Sequence, residues 1–130
     1  MKLRSILAFL LIAVFALPAR AELQIDVNGA VRDPLPLAFP EIISSTPSAE
    51  DYGERIREVV IADLERSGLF RIIPDNSYIQ ELKSINEQPN FTDWKAINAH
   101  ALVQSAISEV NMQNLKVEMR LWDVYAENQM

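Results

Sequence analysis

The stretch TPSAEDYGERIREVVIADLERSGLFRII, residues 46–73, decides the fold class, because it holds a whole helix with both end signals and the strand that follows it. Thr46 offers a side-chain oxygen to the unpaired N–H groups of the first turn, Pro47 is tolerated where an N–H would have no partner, and Glu50 and Asp51 sit near the positive helix end. Tyr52, Ile56, Val59, Val60, Asp63 and Leu64 follow at three- and four-residue steps. All but Asp63 are apolar, which predicts one stripe facing a core. Gly68 is placed to adopt the left-handed conformation that ends a helix, and Leu69-Phe70-Arg71-Ile72-Ile73 resumes as a strand until Pro74. A helix feeding directly into a strand makes this a mixed α/β chain.

Towards the carboxy terminus, Tyr78 to Ile85 allows a short helical piece that becomes loop by about Asn86. Thr92 or Asp93 is a cap for a second helix through Trp94, Ile97 and His100, after which Ala101-Leu102-Val103 begins a strand. Asn111 to Asn114 reads as the turn between two strands, Leu102 to Val110 and Leu115 to Leu121. Leu115, Val117, Met119 and Leu121 alternate with Lys116, Glu118 and Arg120, so one face of the hairpin is expected to be buried and the other wet. A sheet with helices on one face is the architecture these elements predict.

Towards the amino terminus, Val31 to Pro40 carries Pro34, Pro36 and Pro40 around Leu35, Leu37 and Phe39. Three residues without an N–H favour an edge strand with irregular pairing. Before it, Leu23, Ile25 and Val27 alternate with Gln24, Asp26 and Asn28 as in a half-buried strand, broken by Asn28-Gly29. Residues 1–21 read as a secretory signal peptide: a basic start at Met1-Lys2-Leu3-Arg4, an apolar run from Ile6 to Leu17, and a small-x-small cleavage site at Pro18-Ala19-Arg20-Ala21. That run spans about 18 Å as a helix, against a hydrocarbon core of about 30 Å, so cleavage and export as a periplasmic protein starting at Glu22 is expected rather than anchoring.

Residues 22–130 suffice for one domain. Loss of Lys2, Arg4 and Arg20 lowers the basic count from 12 to 9 against 18 acidic residues and takes the formal charge from −6 to −9. Scattered cations in an acidic chain do not make a nucleic-acid surface. There is no Cys, which excludes disulfides, thiol nucleophiles and thiolate metal sites, and only three Gly, too few for a phosphate-cradling loop. The one imidazole, His100, is a possible general base, but beside Ala101-Leu102-Val103 a capping or packing role is favoured. Glu50, Asp51, Glu54 and Glu58 read as a solvated helix face rather than a cation site, and Trp94 and Trp122 as core. No catalytic, cofactor or metal residue is assigned. The segment Glu22, Leu23, Gln24, Ile25, Asp26, Val27, Asn28, Gly29, Ala30, Val31, Arg32 stands apart, because an extended stretch behind a fresh terminus can add to a partner's sheet edge. On spacing alone it is equally the first strand of the domain.

At Asp63-Leu64-Glu65-Arg66-Ser67-Gly68-Leu69-Phe70 the chain resembles the TolB amino-terminal domain family of the Tol-Pal system. Phe91-Thr92-Asp93-Trp94-Lys95-Ala96-Ile97-Asn98-Ala99, Ala101-Leu102-Val103 and Val117-Glu118-Met119-Arg120-Leu121-Trp122-Asp123-Val124 agree in the same order, so the resemblance covers essentially all of residues 22–130. It implies a mixed sheet of about five strands with two main helices, similar to the anticodon-binding domain of some aminoacyl-tRNA synthetases, without carrying over RNA binding. It also implies a non-enzymatic role in outer-membrane integrity and invagination at division, with residues 22–32 docking on the carboxy-terminal domain of TolA. Family members carry a six-bladed propeller that makes the main contact with the lipoprotein Pal; nothing follows Met130 here, so Pal binding is not expected of this chain. Gln104-Ser105 stands where Val-Gly is more usual, and the turn at Asn111 to Asn114 lacks a common Gly, both expected to act on local strand geometry. Two other functions stay open: a small exported hydrolase using His100 with a carboxylate, and a binding module for another partner.

Overall fold

The computed structural model describes residues 33–130. The signal sequence, the strand expected at Leu23–Val27 and the whole segment 22–32 lie outside the described residues.

In chain order the elements are β1 (Leu35–Ala38), β2 (Ile43–Ser44), α1 (Pro47–Arg66), β3 (Phe70–Ile72), a single 3-10 turn (Asp75–Ser77), α2 (Phe91–Ala96), β4 (Ala101–Asn111), β5 (Asn114–Asp123) and β6 (Asn128–Gln129). They form one mixed sheet in the order β3-β1-β4-β5-β6, with β2 beside the far half of β4. β1 is parallel to β3 and β4, and β4, β5 and β6 are antiparallel in turn. The expected α/β class, two helices and late hairpin are all present, and six strands stand where about five were expected.

The ends of α1 form as its sequence predicts. Thr46 is extended and its Oγ1 accepts the Ala49 N–H at 3.2 Å, while Gly68 closes the helix at φ +70°. The buried face differs from the predicted stripe. Ala49 and Gly53 are buried and Ile56, Val60 and Leu64 pack on the core, whereas Tyr52 and Val59 are exposed. The small residues set the contact line: a Cβ at Gly53 would lie 3.3 Å from Ile42 Cβ and 3.4 Å from Ile107 Cγ2, so the helix approaches the sheet through its least bulky side.

Four other expectations change. β1 is an interior strand rather than an edge, because its missing N–H at Pro36 falls at the mouth of the sheet, where the Pro36 carbonyl accepts the His100 N–H just before β4 begins. The helical piece expected at Tyr78–Ile85 is irregular chain after the 3-10 turn. The second helix starts after Asn90 and stops at Ala96, since Asn98 takes φ +57° and releases His100 from it. The helices also lie on opposite faces. Successive residues of a strand point to opposite sides. Val103 and Ile107 therefore pack with Phe39 and Ile42 beneath α1, while Leu102 packs with Ala38, Trp122 and Val124 against Phe91, Trp94 and Leu82.

The hairpin forms with its turn at Met112 and Gln113, inside the expected Asn111–Asn114, and its register sets Leu102 opposite Trp122 and Ile107 opposite Val117. Pairing runs unbroken through Gln104 and Ser105; the irregularity falls between Glu109 and Asn111. The apolar face of β5 is not buried. Leu115, Val117, Met119 and Leu121 are 38%, 40%, 45% and 40% exposed, because α1 covers this side of β4 and stops short of β5.

Candidate functional site

The predicted partner-binding residues Glu22 to Arg32 lie outside the described residues, so what the structure supplies is the platform into which the chain enters at Asp33. At that end of the sheet Leu35 donates its N–H to the Leu69 carbonyl at 2.8 Å and His100 bridges two strands, donating to Pro36 O at 2.9 Å and accepting from Val124 N–H at 3.0 Å. An open cleft of ≈ 390 Å³ is lined there by Leu35, His100, Ala101, Asp123, Tyr125 and Met130. The His100 ring lies 4.8 Å from that of Tyr125, tilted by 54°, and among the described residues it makes no side-chain hydrogen bond. Asp123 directs Oδ1 to the N–H groups of Tyr125 and Ala126, holding the turn into β6. The geometry around His100 is thus that of a strand junction, with a ring packed at a tilt against a neighbour.

Behind the sheet, three polar side chains tie the long irregular segment 73–90 to it. Tyr78 donates its hydroxyl to Ile73 O at 2.9 Å and accepts the Phe39 N–H at 3.0 Å. Burial pushes its phenol above the ordinary range; the neighbouring Asp75 adds to the rise, while the Phe39 N–H and the Arg57 charge oppose it. Gln80 Oε1 accepts both the Trp94 indole N–H at 2.9 Å and the Asn90 N–H at 2.8 Å. Gln104, fully buried in β4, accepts the Trp122 indole N–H at 2.9 Å and donates to Ser84 O and Glu87 O at 2.7 and 2.8 Å. Both tryptophans are therefore core residues whose single donors are satisfied, as expected for Trp94 and Trp122. The glutamine and tyrosine roles were not anticipated. A polar residue inside the apolar run Ala101 to Ile107 was the available signal for Gln104.

On the other face, Glu109 accepts from the hydroxyls of Thr46, at 2.8 Å, and Ser48, linking the end of β4 to the first turn of α1. These hydrogen bonds, Ser48 first and then Thr46, hold its carboxyl below the usual carboxylate range. Arg57 reaches across from α1 to donate to Phe39 O at 2.8 Å and pairs with Asp75 at 2.5 Å. Glu50, Asp51, Glu54 and Glu58 are exposed along α1, and among the described residues no three His, Asp or Glu side chains gather as a metal-binding group. Among the same residues no helix is long and apolar enough to cross a membrane.

Set beside known proteins, residues 23–130 match the family described as the TolB amino-terminal domain. The Tol-Pal system protein TolB of Paramagnetospirillum magneticum is 42% identical over 130 residues, covering 97% of this chain and 29% of the relative. That of Dinoroseobacter shibae is 39% identical over 133 residues, covering 95% and 30%. The chain spans less than a third of the length of these relatives. Among solved structures, TolB from Acinetobacter baumannii superposes with a TM-score of 0.57 at 20% identity, over 75% of this chain and 22% of that one. The carboxy-terminal domain of LpoB from Escherichia coli gives 0.54 at 14% identity, over 82% and 83%. At those identities the structural likeness speaks for the fold alone.

Proposed function

Because this chain belongs to the TolB amino-terminal domain family, we propose that it serves the Tol-Pal system as a non-enzymatic periplasmic adaptor. Residues 1–21 direct export, residues 22–130 form the working unit, and Glu22 to Arg32 dock on the carboxy-terminal domain of TolA in an extended mode, supporting outer-membrane integrity and constriction at division. The observation that carries this is the family match across residues 23–130, which includes the alternating segment itself. The platform supports it in two ways. The chain enters through Asp33 into β1, which is already paired on both sides by β3 and β4, so β1 offers no free edge of its own. The buried side-chain hydrogen bonds tie elements to one another, and the His100 ring lies tilted against that of Tyr125.

An extended segment binds through main-chain hydrogen bonds, with alternate side chains giving selectivity, so Leu23, Ile25 and Val27 would face the partner and Gln24 and Asp26 would stay wet. Calorimetry of residues 22–130 and of residues 33–130 against the TolA carboxy-terminal domain tests this. Binding by the first and not the second is the expected result. Equal binding by both would move recognition out of the segment, and heat from neither, with both chains folded by circular dichroism, would overturn the TolA assignment for this chain. Contact with Pal is not part of the proposal.

A further inference from the structure

Residues 78–83, inside the irregular segment between β3 and α2, have the pattern of a strand and no strand beside them among the described residues. Exposure alternates without a break: Tyr78, Gln80 and Leu82 turn in, and Ile79, Glu81 and Lys83 turn out, which is the period of extended chain. The inward side chains fix the run at every second residue. Tyr78 bonds to Ile73 and Phe39, Gln80 to Trp94 and Asn90, and Leu82 lies in the core. Yet among the described residues the N–H groups of Ile79, Gln80, Glu81 and Leu82 donate to nothing; the next one, of Lys83, donates to Glu87 Oε2 at 3.3 Å. An open cleft of ≈ 490 Å³ separates this run from Pro40–Ile43, the chain entering β2. A segment already held extended, with unpaired backbone donors along a cleft, is a template for another strand.

We propose that this run takes up an extended peptide of a partner protein as an added strand, and that the peptide alternates apolar with basic residues. Side chains of paired strands share faces, so every second residue of the peptide turns with Tyr78, Gln80 and Leu82 towards the cleft, where Pro40 and Ile43 are apolar and half-buried. The residues between them lie on the outer face with Ile79 and Glu81. Charge selects their sign. Asp75 is already paired with Arg57, whereas Glu41 and Glu81 form no ion pair among the described residues and stand against one cation of the cleft, Lys83. A second hollow of ≈ 180 Å³ shares Glu41 and Ile42 with the cleft and adds Glu50 and Glu54 to the same rim. Lysine or arginine at the outer positions of the peptide meets this field favourably, whereas a second copy of the chain, formally −6, would set the same acidic rim against itself. The site uses none of residues 22–32, so it stands apart from the TolA reading.

Fluorescence anisotropy of a short, capped and labelled peptide alternating valine with lysine, titrated with the purified protein, reads the binding. Saturable binding is expected, with slowed exchange at alternate amides of Ile79–Leu82, and none is expected for the peptide alternating valine with glutamate. Glu81→Lys should weaken the valine–lysine peptide about tenfold, while Glu65→Lys, exposed in the last turn of α1, leaves it unchanged. Glu41→Lys combined with Glu81→Lys should turn the preference to the valine–glutamate peptide. Methylating the backbone nitrogens of the valines in one peptide and of the lysines in another keeps charge and side chains; the one whose methyls fall on the paired edge should lose binding. No binding, equal binding of the two charge types, indifference to Glu81→Lys, or retention by both methylated peptides overturns the proposal. So does slow exchange at Ile79–Leu82 before any peptide is added, since the chain would then already fill this edge itself.

Discussion

Replacing Gln104 with leucine keeps the side-chain size but deletes three hydrogen bonds at a fully buried position of β4. The Trp122 indole N–H then has no acceptor in the core, a loss of about 1–3 kcal/mol for an unsatisfied buried donor. The Ser84 and Glu87 residues are exposed, so their carbonyls turn to water and each bond removed costs about 0.5–1.5 kcal/mol. The leucine recovers about 1 kcal/mol by placing apolar atoms where an amide stood. The net expectation is a loss of about 3 kcal/mol, which for a domain of this size lowers Tm by roughly 15 °C. Urea unfolding followed by tryptophan fluorescence reads it, with Trp122→Phe and the double variant completing a cycle. Each single change strands the other's partner, so the double variant should cost less than the sum by at least about 1 kcal/mol. Amides of the segment around Ser84–Glu87 should also exchange faster in Gln104→Leu. A loss below about 1 kcal/mol with an unchanged denaturant slope, or strict additivity in the cycle, would refute the view that Gln104 holds this segment to the sheet.

Three further outcomes follow from the polar groups. The Ser105 hydroxyl is buried without a hydrogen-bond partner among the described residues, so Ser105→Ala should stabilise by about 1 kcal/mol in the same denaturation assay; a loss of that size would mean the hydroxyl has a partner after all. Tyr78, whose phenol is raised chiefly by burial, favours folding fully below the ordinary phenol range and loses that contribution as pH rises through its folded value. Tyr78→Phe should therefore remove one alkaline step from the stability profile and, at neutral pH, cost about 1–2 kcal/mol for the stranded Phe39 N–H. Glu109, lowered by Ser48 and Thr46, contributes above the ordinary carboxylate range and loses its contribution as pH falls through the lowered value, so Glu109→Gln should flatten the acid limb; superimposable acid limbs would show that the link between β4 and α1 adds nothing.

Much of this protein is legible along the chain because the relevant physics is local. The ends of α1 follow from Thr46, Pro47 and Gly68, whose cap, ring and left-handed backbone act within one turn, and the hairpin follows from alternation about Asn111–Asn114. The family is also readable in sequence, since four segments recur in order, and the match over residues 23–130 agrees. Tertiary structure decided what covers what. Val59 and Tyr52 obey helical periodicity as well as Val60 does, yet only the line through Ala49 and Gly53 fits against Ile42 and Ile107, because close approach rewards small residues. Leu115 to Leu121 alternate as a buried face should, yet stay half-exposed because α1 ends its coverage at β4. Pro36 suggests an edge, yet β1 lies inside the sheet, since one missing N–H at the mouth of a ladder is cheap. Gln104 looks like an interruption in an apolar strand and is instead its tie to residues 84–87. Periodicity states which residues share a side; only the packing of elements distant in sequence states whether that side meets another element or water.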